Sequence, residues 1–135
     1  MKLHLNQGTE YAYQALQVLE QSDDTHVTGR TVAEKLDVST DYVAKVLSPL
    51  TRAGWVSATT GPAGGYRLRA DLTTLCVLDL IEVVEGRVDR SRCMHGDSRD
   101  PASEICALHD PWIRARDSLL SELEVTPLAK TSHSS

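Results

Sequence analysis

The sequence predicts a mainly α-helical chain with one small β-hairpin, and three observations predict it. Apolar residues recur at helical spacing in five segments separated by turns and loops. One stretch, residues 55–69, alternates instead, around the turn cluster Gly61-Pro62-Ala63-Gly64-Gly65. The 135 residues are 41% hydrophobic and 24% charged, ordinary globular usage for one domain whose core needs no disulfide framework.

The elements follow in order. Tyr11, Ala15, Leu16, Val18 and Leu19 put an apolar stripe on a helix over 8–20, which Gln21-Ser22-Asp23-Asp24 closes with turn formers. Thr28 can cap a second helix reaching Leu36. Asp37-Val38-Ser39 reads as a tight turn, with Asp37 at the position that needs left-handed backbone. Glycine is usual there, but short polar side chains visit that region. Ser39 or Thr40 can cap a third helix, and Asp41 is favourable in its first turn. Ala33 is small enough for two helices to cross, and Val38, Val43 and Val46 supply the apolar contacts of a helix-turn-helix. A plain amphipathic hairpin of helices shares this pattern. Pro49 removes the hydrogen bond to Lys45, predicting a kink or loosening near Ser48, and Gly54 reads as the C-terminal cap.

Trp55–Thr59 and Tyr66–Arg69 read as the two strands of the hairpin. A hairpin directly after a helix-turn-helix is the layout of a winged helix. Its glycine-rich tip lets backbone N–H groups approach phosphates, and Arg67 and Arg69 add charge; an ordinary connecting hairpin is the plainer alternative. Val77, Leu80, Ile81 and Val84 mark a helix over 77–85 that Gly86 stops. Residues 87–110 are polar and irregular and contain Cys93, His95, Cys106 and His109; loops this long are functional or disordered. Asp110 and Pro111 start a last helix through Glu124. Its stripe of Trp112, Ala115, Leu119 and Leu123 suits dimerisation or packing on the chain's own core. The expected organisation is one domain over 1–130: a winged helix-turn-helix over about 1–70, a loop over 87–110, a dimerisation helix over 111–124, and a frayed tail over 131–135.

Net charge is −5, yet it is unevenly placed. Residues 28–70 carry Arg30, Lys35, Lys45, Arg52, Arg67 and Arg69 against Glu34, Asp37 and Asp41, a net +3 between acidic flanks. Nucleic-acid affinity follows the field at the contact face, so the overall sign excludes nothing. No apolar run approaches the roughly 18 residues of a membrane span, and Met1–Asn6 lacks the apolar block of a signal peptide. A cytoplasmic protein is expected. Cys76, Cys93 and Cys106 are an odd set, which points to free thiols, a redox switch or metal ligation. A phosphate loop, a nucleophile elbow and a convincing acid–base pair are all missing, so no enzyme is expected. A zinc site in the Cys/His loop and a pure interaction module are the rival readings.

Gly61-Pro62-Ala63-Gly64-Gly65-Tyr66 resembles the Gly-x-x-Gly-Gly-Tyr signature of the bacterial Rrf-two family of winged-helix regulators. Asp79 with Val84-Glu85-Gly86 is similar to that family's following helix. Cys106-Ala107-Leu108-His109, Trp112 and Thr126-Pro127-Leu128-Ala129 are similar to its C-terminal part. The likeness runs from Lys2 to Lys130. It implies a homodimer on a palindromic operator of double-stranded DNA. It also implies groove contacts from Ser39, Thr40, Tyr42 and Lys45 and wing contacts from Gly64, Gly65, Arg67 and Arg69. Thr60 stands where many members carry an arginine before the first wing glycine.

The resemblance also implies a sensor. Cluster-binding members use three loop cysteines; here Cys93 matches the first and Cys106 the third, while Ser98 and Arg99 occupy the middle region. Other members hold a two-iron cluster with two cysteines and two other ligands. Glu10 matches an acidic ligand of the first helix, often supplied by the partner subunit, and His109 matches a histidine three residues after the last cysteine. Gln14, at another ligand position of that helix, is a poor donor. The expected set is Glu10, Cys93, Cys106 and His109 on a [2Fe-2S] cluster; His95 is read as loop surface, a ligand role being the lesser alternative. The expected function is a repressor sensing redox or nitrosative stress or iron–sulfur status. The alternative is a cluster-free regulator switched by oxidation of Cys93 and Cys106 to a disulfide. Cys76 precedes Val77 at a helix-cap position and is read as structural.

Overall fold

The computed structural model describes residues 4–22, 26–62, 64–88 and 108–129. Seven elements follow one another: α1 (Gln7–Glu20), α2 (Gly29–Leu36), α3 (Thr40–Arg52), β1 (Val56–Thr59), β2 (Gly65–Leu68), α4 (Val77–Glu85) and α5 (His109–Val125).

Local chemistry sets the helix boundaries. Asn6 accepts the Gly8 N–H at 2.8 Å and starts α1. Thr28 accepts from Thr31 N–H at 3.1 Å to start α2, and Ser39 accepts from Tyr42 N–H at 3.1 Å to start α3. Between them Asp37 adopts φ 59 and ψ 49. The turn closes with Val38 N–H on Ala33 O (3.0 Å) and Asp37 N–H on Glu34 O (3.4 Å), a helix ending usually built on glycine. Pro49 lies inside α3, which runs on through it to Arg52. It forgoes the one bond its N–H would have given to Lys45 O, and its neighbours bond around it. Thr51 Oγ1 donates to Leu47 O at 2.9 Å and Ala53 N–H to Pro49 O at 3.0 Å. Gly54, at φ 83, then completes the ending, with its N–H on Thr51 O (3.1 Å) and Trp55 N–H on Leu50 O (3.0 Å).

β1 and β2 pair antiparallel with Val56 opposite Leu68, Ser57 opposite Arg67, Ala58 opposite Tyr66 and Thr59 opposite Gly65. β1 lacks Trp55 of its expected span, and β2 is displaced by one residue, with Gly65 inside and Arg69 outside. Val27 adds a third short rung, with its N–H on Tyr66 O (2.8 Å) and Tyr66 N–H on Val27 O (2.7 Å). The start of α2 is thereby tied to the hairpin.

The core collects on α1, which touches α2, α3, α4 and β2. Ala12, Ala15, Leu16 and Leu19 meet Val32, Val43, Leu47, Leu50, Leu72, Leu80 and Leu128. α5 lies along α4 and buries Leu120, while Ala115 and Leu119, two members of its expected apolar stripe, face outward. After Val125 the chain turns back as a short strap. Val77 N–H donates to Thr126 O at 2.9 Å, Leu128 N–H to Leu75 O at 2.9 Å, and Ala129 N–H to Leu72 O at 3.1 Å. Gln17 Nε2 of α1 donates to Leu128 O at 3.0 Å, and Leu128 itself is buried. No helix among the described residues is long and apolar enough to cross a membrane.

Candidate nucleic-acid interface and sensor segment

α3 has an inner and an outer face. Val43, Val46, Leu47 and Leu50 are buried; Thr40, Asp41, Ala44, Lys45 and Arg52 are exposed. Of the residues expected to enter a groove, Thr40 and Lys45 are on this outer face. Ser39 is exposed too, but its oxygen accepts the Tyr42 N–H, so it is first a helix cap and has its hydroxyl hydrogen left to donate. Tyr42 is half-buried, and its ring meets Tyr11 of α1 edge-on, with centroids 5.4 Å apart and planes at 86°. Its ring therefore belongs to the α1–α3 packing.

Three residues along this side of α3 are not among the expected groove contacts: Ala44 and Arg52, both exposed, and half-buried Ser48. Arg52 Nη1 donates to Ser48 Oγ at 2.7 Å, a pair one turn apart. Counting in threes and fours from Asp41 would have found them, since 41, 44, 45, 48 and 52 share one stripe.

The wing places its basic residues differently. Arg67 is half-buried opposite Ser57, whereas Arg69 is exposed just past the strand. Gly64 and Gly65 have a steric reason to be glycine that requires no ligand. A Cβ on Gly64 would lie 2.0 Å from Thr59 O; one on Gly65, at φ 147, would lie 2.6 Å from Val27 O. The signature glycines hold the hairpin closed and dock it on Val27.

The segment with Cys93, His95 and Cys106 lies outside the described residues; its two ends are described. It leaves from the last turn of α4. There Glu82 accepts the Val88 N–H at 3.0 Å. Glu85 accepts the hydroxyl of the fully buried Thr9 and, at 3.3 Å, the Asn6 N–H. The first turn of α1 is thus fastened to the C-terminal end of α4, and Glu10, exposed in that turn, stands near the root of the segment. The segment returns at His109, the first residue of α5, whose Nδ1 is buried and meets no hydrogen-bond partner among the described residues. No three His, Cys, Asp or Glu side chains come together as a metal site among the described residues.

Cys76 sits where the cap was expected. Its N–H donates to Asp79 Oδ2 at 3.0 Å while its sulfur faces the Asp79 N–H, a reciprocal capping box. Burial pushes its thiol above the ordinary value, so it is neutral and a poor nucleophile at pH 7.

A capped helix-turn-helix, a hairpin wing packed against it and a long C-terminal helix define the class of winged-helix regulators. The model of the Rrf2 family, described as an iron-dependent transcriptional regulator, matches residues 5–133. The chain belongs to that family, which is one of transcriptional regulators and not of enzymes. It is 32% identical over 111 residues to the HTH-type transcriptional regulator IscR of Photobacterium profundum, covering 82% of this chain and 64% of the relative. To IscR of Escherichia coli it is 30% identical over 118 residues, covering 87% of this chain and 72% of the relative. The structure of CymR, the global cysteine regulator of B. subtilis, superposes with a TM-score of 0.72 at 25% identity, covering 94% of each chain. The chain spans less than two thirds of the length of the first curated relatives it matches.

Proposed function

We propose that this chain is a DNA-binding transcriptional repressor that works as a homodimer on a palindromic operator. The observation that carries the reading is the outer face of α3, where Thr40, Lys45 and Arg52 are exposed together with Asp41, and half-buried Ser48 accepts from Arg52, beside a wing bearing Arg69. Hydroxyls and amides at a helix start suit phosphate and base edges, and the cations supply salt-dependent affinity. Selection of duplexes from a random pool, followed by gel shift, tests it. Affinity should fall with salt by a log–log slope of about −0.9 per phosphate contacted. Lys45→Ala and Arg69→Ala should weaken binding, and a chain that retains no duplex overturns the reading. The partner subunit is assigned to α5, because Leu108, Leu119 and Val125 are 52%, 50% and 74% exposed there and are the exposed large apolar residues among those described. Sedimentation should show a dimer that Leu119→Glu converts to monomer.

The sensor is assigned to residues 87–110, with Cys93, Cys106, His109 and Glu10 holding a [2Fe-2S] cluster. Two described features support this set. His109 carries a buried nitrogen with no partner among the described residues, and Glu10 is exposed at the root of the segment. Thiolate, imidazole and carboxylate are a workable donor set, and such a cluster, when bound, supplies a site that gains or loses electrons or reacts with small oxidants. Freshly isolated protein, handled without oxygen, should carry iron, sulfide and a visible chromophore. Cys93→Ala or Cys106→Ala should lose it, and Cys76→Ala should keep it. Colourless protein whose operator affinity changes when Cys93 and Cys106 are oxidised would instead establish the thiol switch. One zinc without sulfide would establish a zinc site.

A further inference from the structure

We infer that Glu85 is a positioning residue for the recognition helix, acting through Thr9, Tyr11 and Tyr42. This inference rests on the proposed DNA-binding reading.

The chain of contacts is short and each link is distinct. Glu85 ends α4, three residues before Val88, where the cysteine segment departs. Its carboxylate receives the Thr9 hydroxyl and the Asn6 N–H, which together hold the first turn of α1. Thr9 is fully buried, and Glu85 is the partner of its hydroxyl, so breaking the contact leaves a polar group stranded in the core. Two residues along α1, Tyr11 abuts Tyr42 edge-on, and Tyr42 lies in the first turn of α3 with its N–H on the Ser39 cap. A change in the position of the α4 end is thereby delivered to the turn of α3 that presents Ser39 and Thr40. Because the linking groups are a charge-assisted hydrogen bond and a ring pair, they have discrete made and broken arrangements. α4 also touches α3 directly, so the route through α1 has a rival.

Labelling with 3-fluorotyrosine tests it. The chain has four tyrosines, Tyr11, Tyr13, Tyr42 and Tyr66, which give four fluorine resonances. Tyr42→Phe assigns the one that matters. Thr9→Val and Glu85→Ala should both displace the Tyr42 resonance and leave that of Tyr66 in the wing unmoved. Thr9→Ser, which keeps the donor, should restore it. The same two variants should weaken operator binding by about tenfold well below their melting temperatures, with no change in sedimentation. Their effects should be less than additive in the double variant, because both break the Thr9–Glu85 bond, while Glu85→Ala also releases the Asn6 N–H. A Tyr42 resonance that stays in place in Thr9→Val and Glu85→Ala overturns the inference and favours the direct α3–α4 contact. Displacement without loss of affinity overturns it for DNA binding. Should the wild-type chain hold no duplex at all, the functional reading fails and the fluorine spectrum decides the coupling by itself.

Discussion

Replacing Gly65 by alanine should cost about 3 kcal/mol of stability, and the amount can be assembled from its surroundings. Gly65 has φ 147, and an added Cβ would lie 2.6 Å from Val27 O, 2.8 Å from Val27 C and 3.1 Å from Thr28 N. Backbone at so large a positive φ costs an L-residue about 1–3 kcal/mol. The contacts are all backbone, so no side chain can swing aside. Relief requires the hairpin to lift from Val27, which breaks the reciprocal bonds between Val27 and Tyr66 at 2.8 and 2.7 Å. Two such bonds are worth about 0.5–1.5 kcal/mol each. Gly61 supplies the control, for it has φ 97 and nothing within 4 Å of an added Cβ. Gly61→Ala should therefore cost only the backbone strain, about 1 kcal/mol. Urea unfolding followed by circular dichroism measures both. Equal losses for the two variants would show that the close approach to Val27 does not matter, and the steric account of the Gly-Gly-Tyr signature would fail.

Other outcomes follow from the same structure. Leu128→Ala, in the strap packed on α1 and the residues before α4, should cost about 2–5 kcal/mol in the same unfolding assay. Asp37→Gly should raise stability by about 0.5 kcal/mol, since it removes the left-handed strain at φ 59 while keeping both turn hydrogen bonds. Folding favours the neutral thiol of Cys76, so its contribution should be intact below its ordinary value of 9.0 and lost as pH rises through the higher folded value. In a chain with Cys93 and Cys106 replaced by alanine, iodoacetamide should modify Cys76 more slowly than a peptide thiol at pH 8. The alkaline loss of stability should disappear in Cys76→Ser.

What was legible in the sequence was mostly local. Thr28, Asp37 and Ser39 act within three or four residues of themselves, so their capping and turn roles could be read from spacing. The glycine cluster announced a hairpin for the same reason. Features made by distant partners were not legible. Val27 joins the wing through backbone groups, which leave no side-chain pattern. Glu85 meets Thr9 across 76 positions; its place in the Val-Glu-Gly motif is legible, but its partner is not. The apolar stripe of α5 was real as a pattern, but periodicity does not say which side is covered. Leu120 turned inward on α4 and Leu119 outward. Of the candidate DNA contacts, Tyr42 carried a double signal, since an aromatic ring near a helix start can serve a groove or a core.

The strap that returns over residues 126–129 limits what kind of motion can reach the wing. It stitches the far end of α5 to Leu72, Leu75 and Val77 and to Gln17 of α1, the same body that carries the helix-turn-helix. A helix fastened in this way cannot swing as a loose arm about its own end. On the proposed sensor reading, a push on its opposite end would be resisted at the stitched end and carried by the whole body. In a pair of such subunits, opposed turns of the two bodies would change the separation of two recognition helices without unfolding either one.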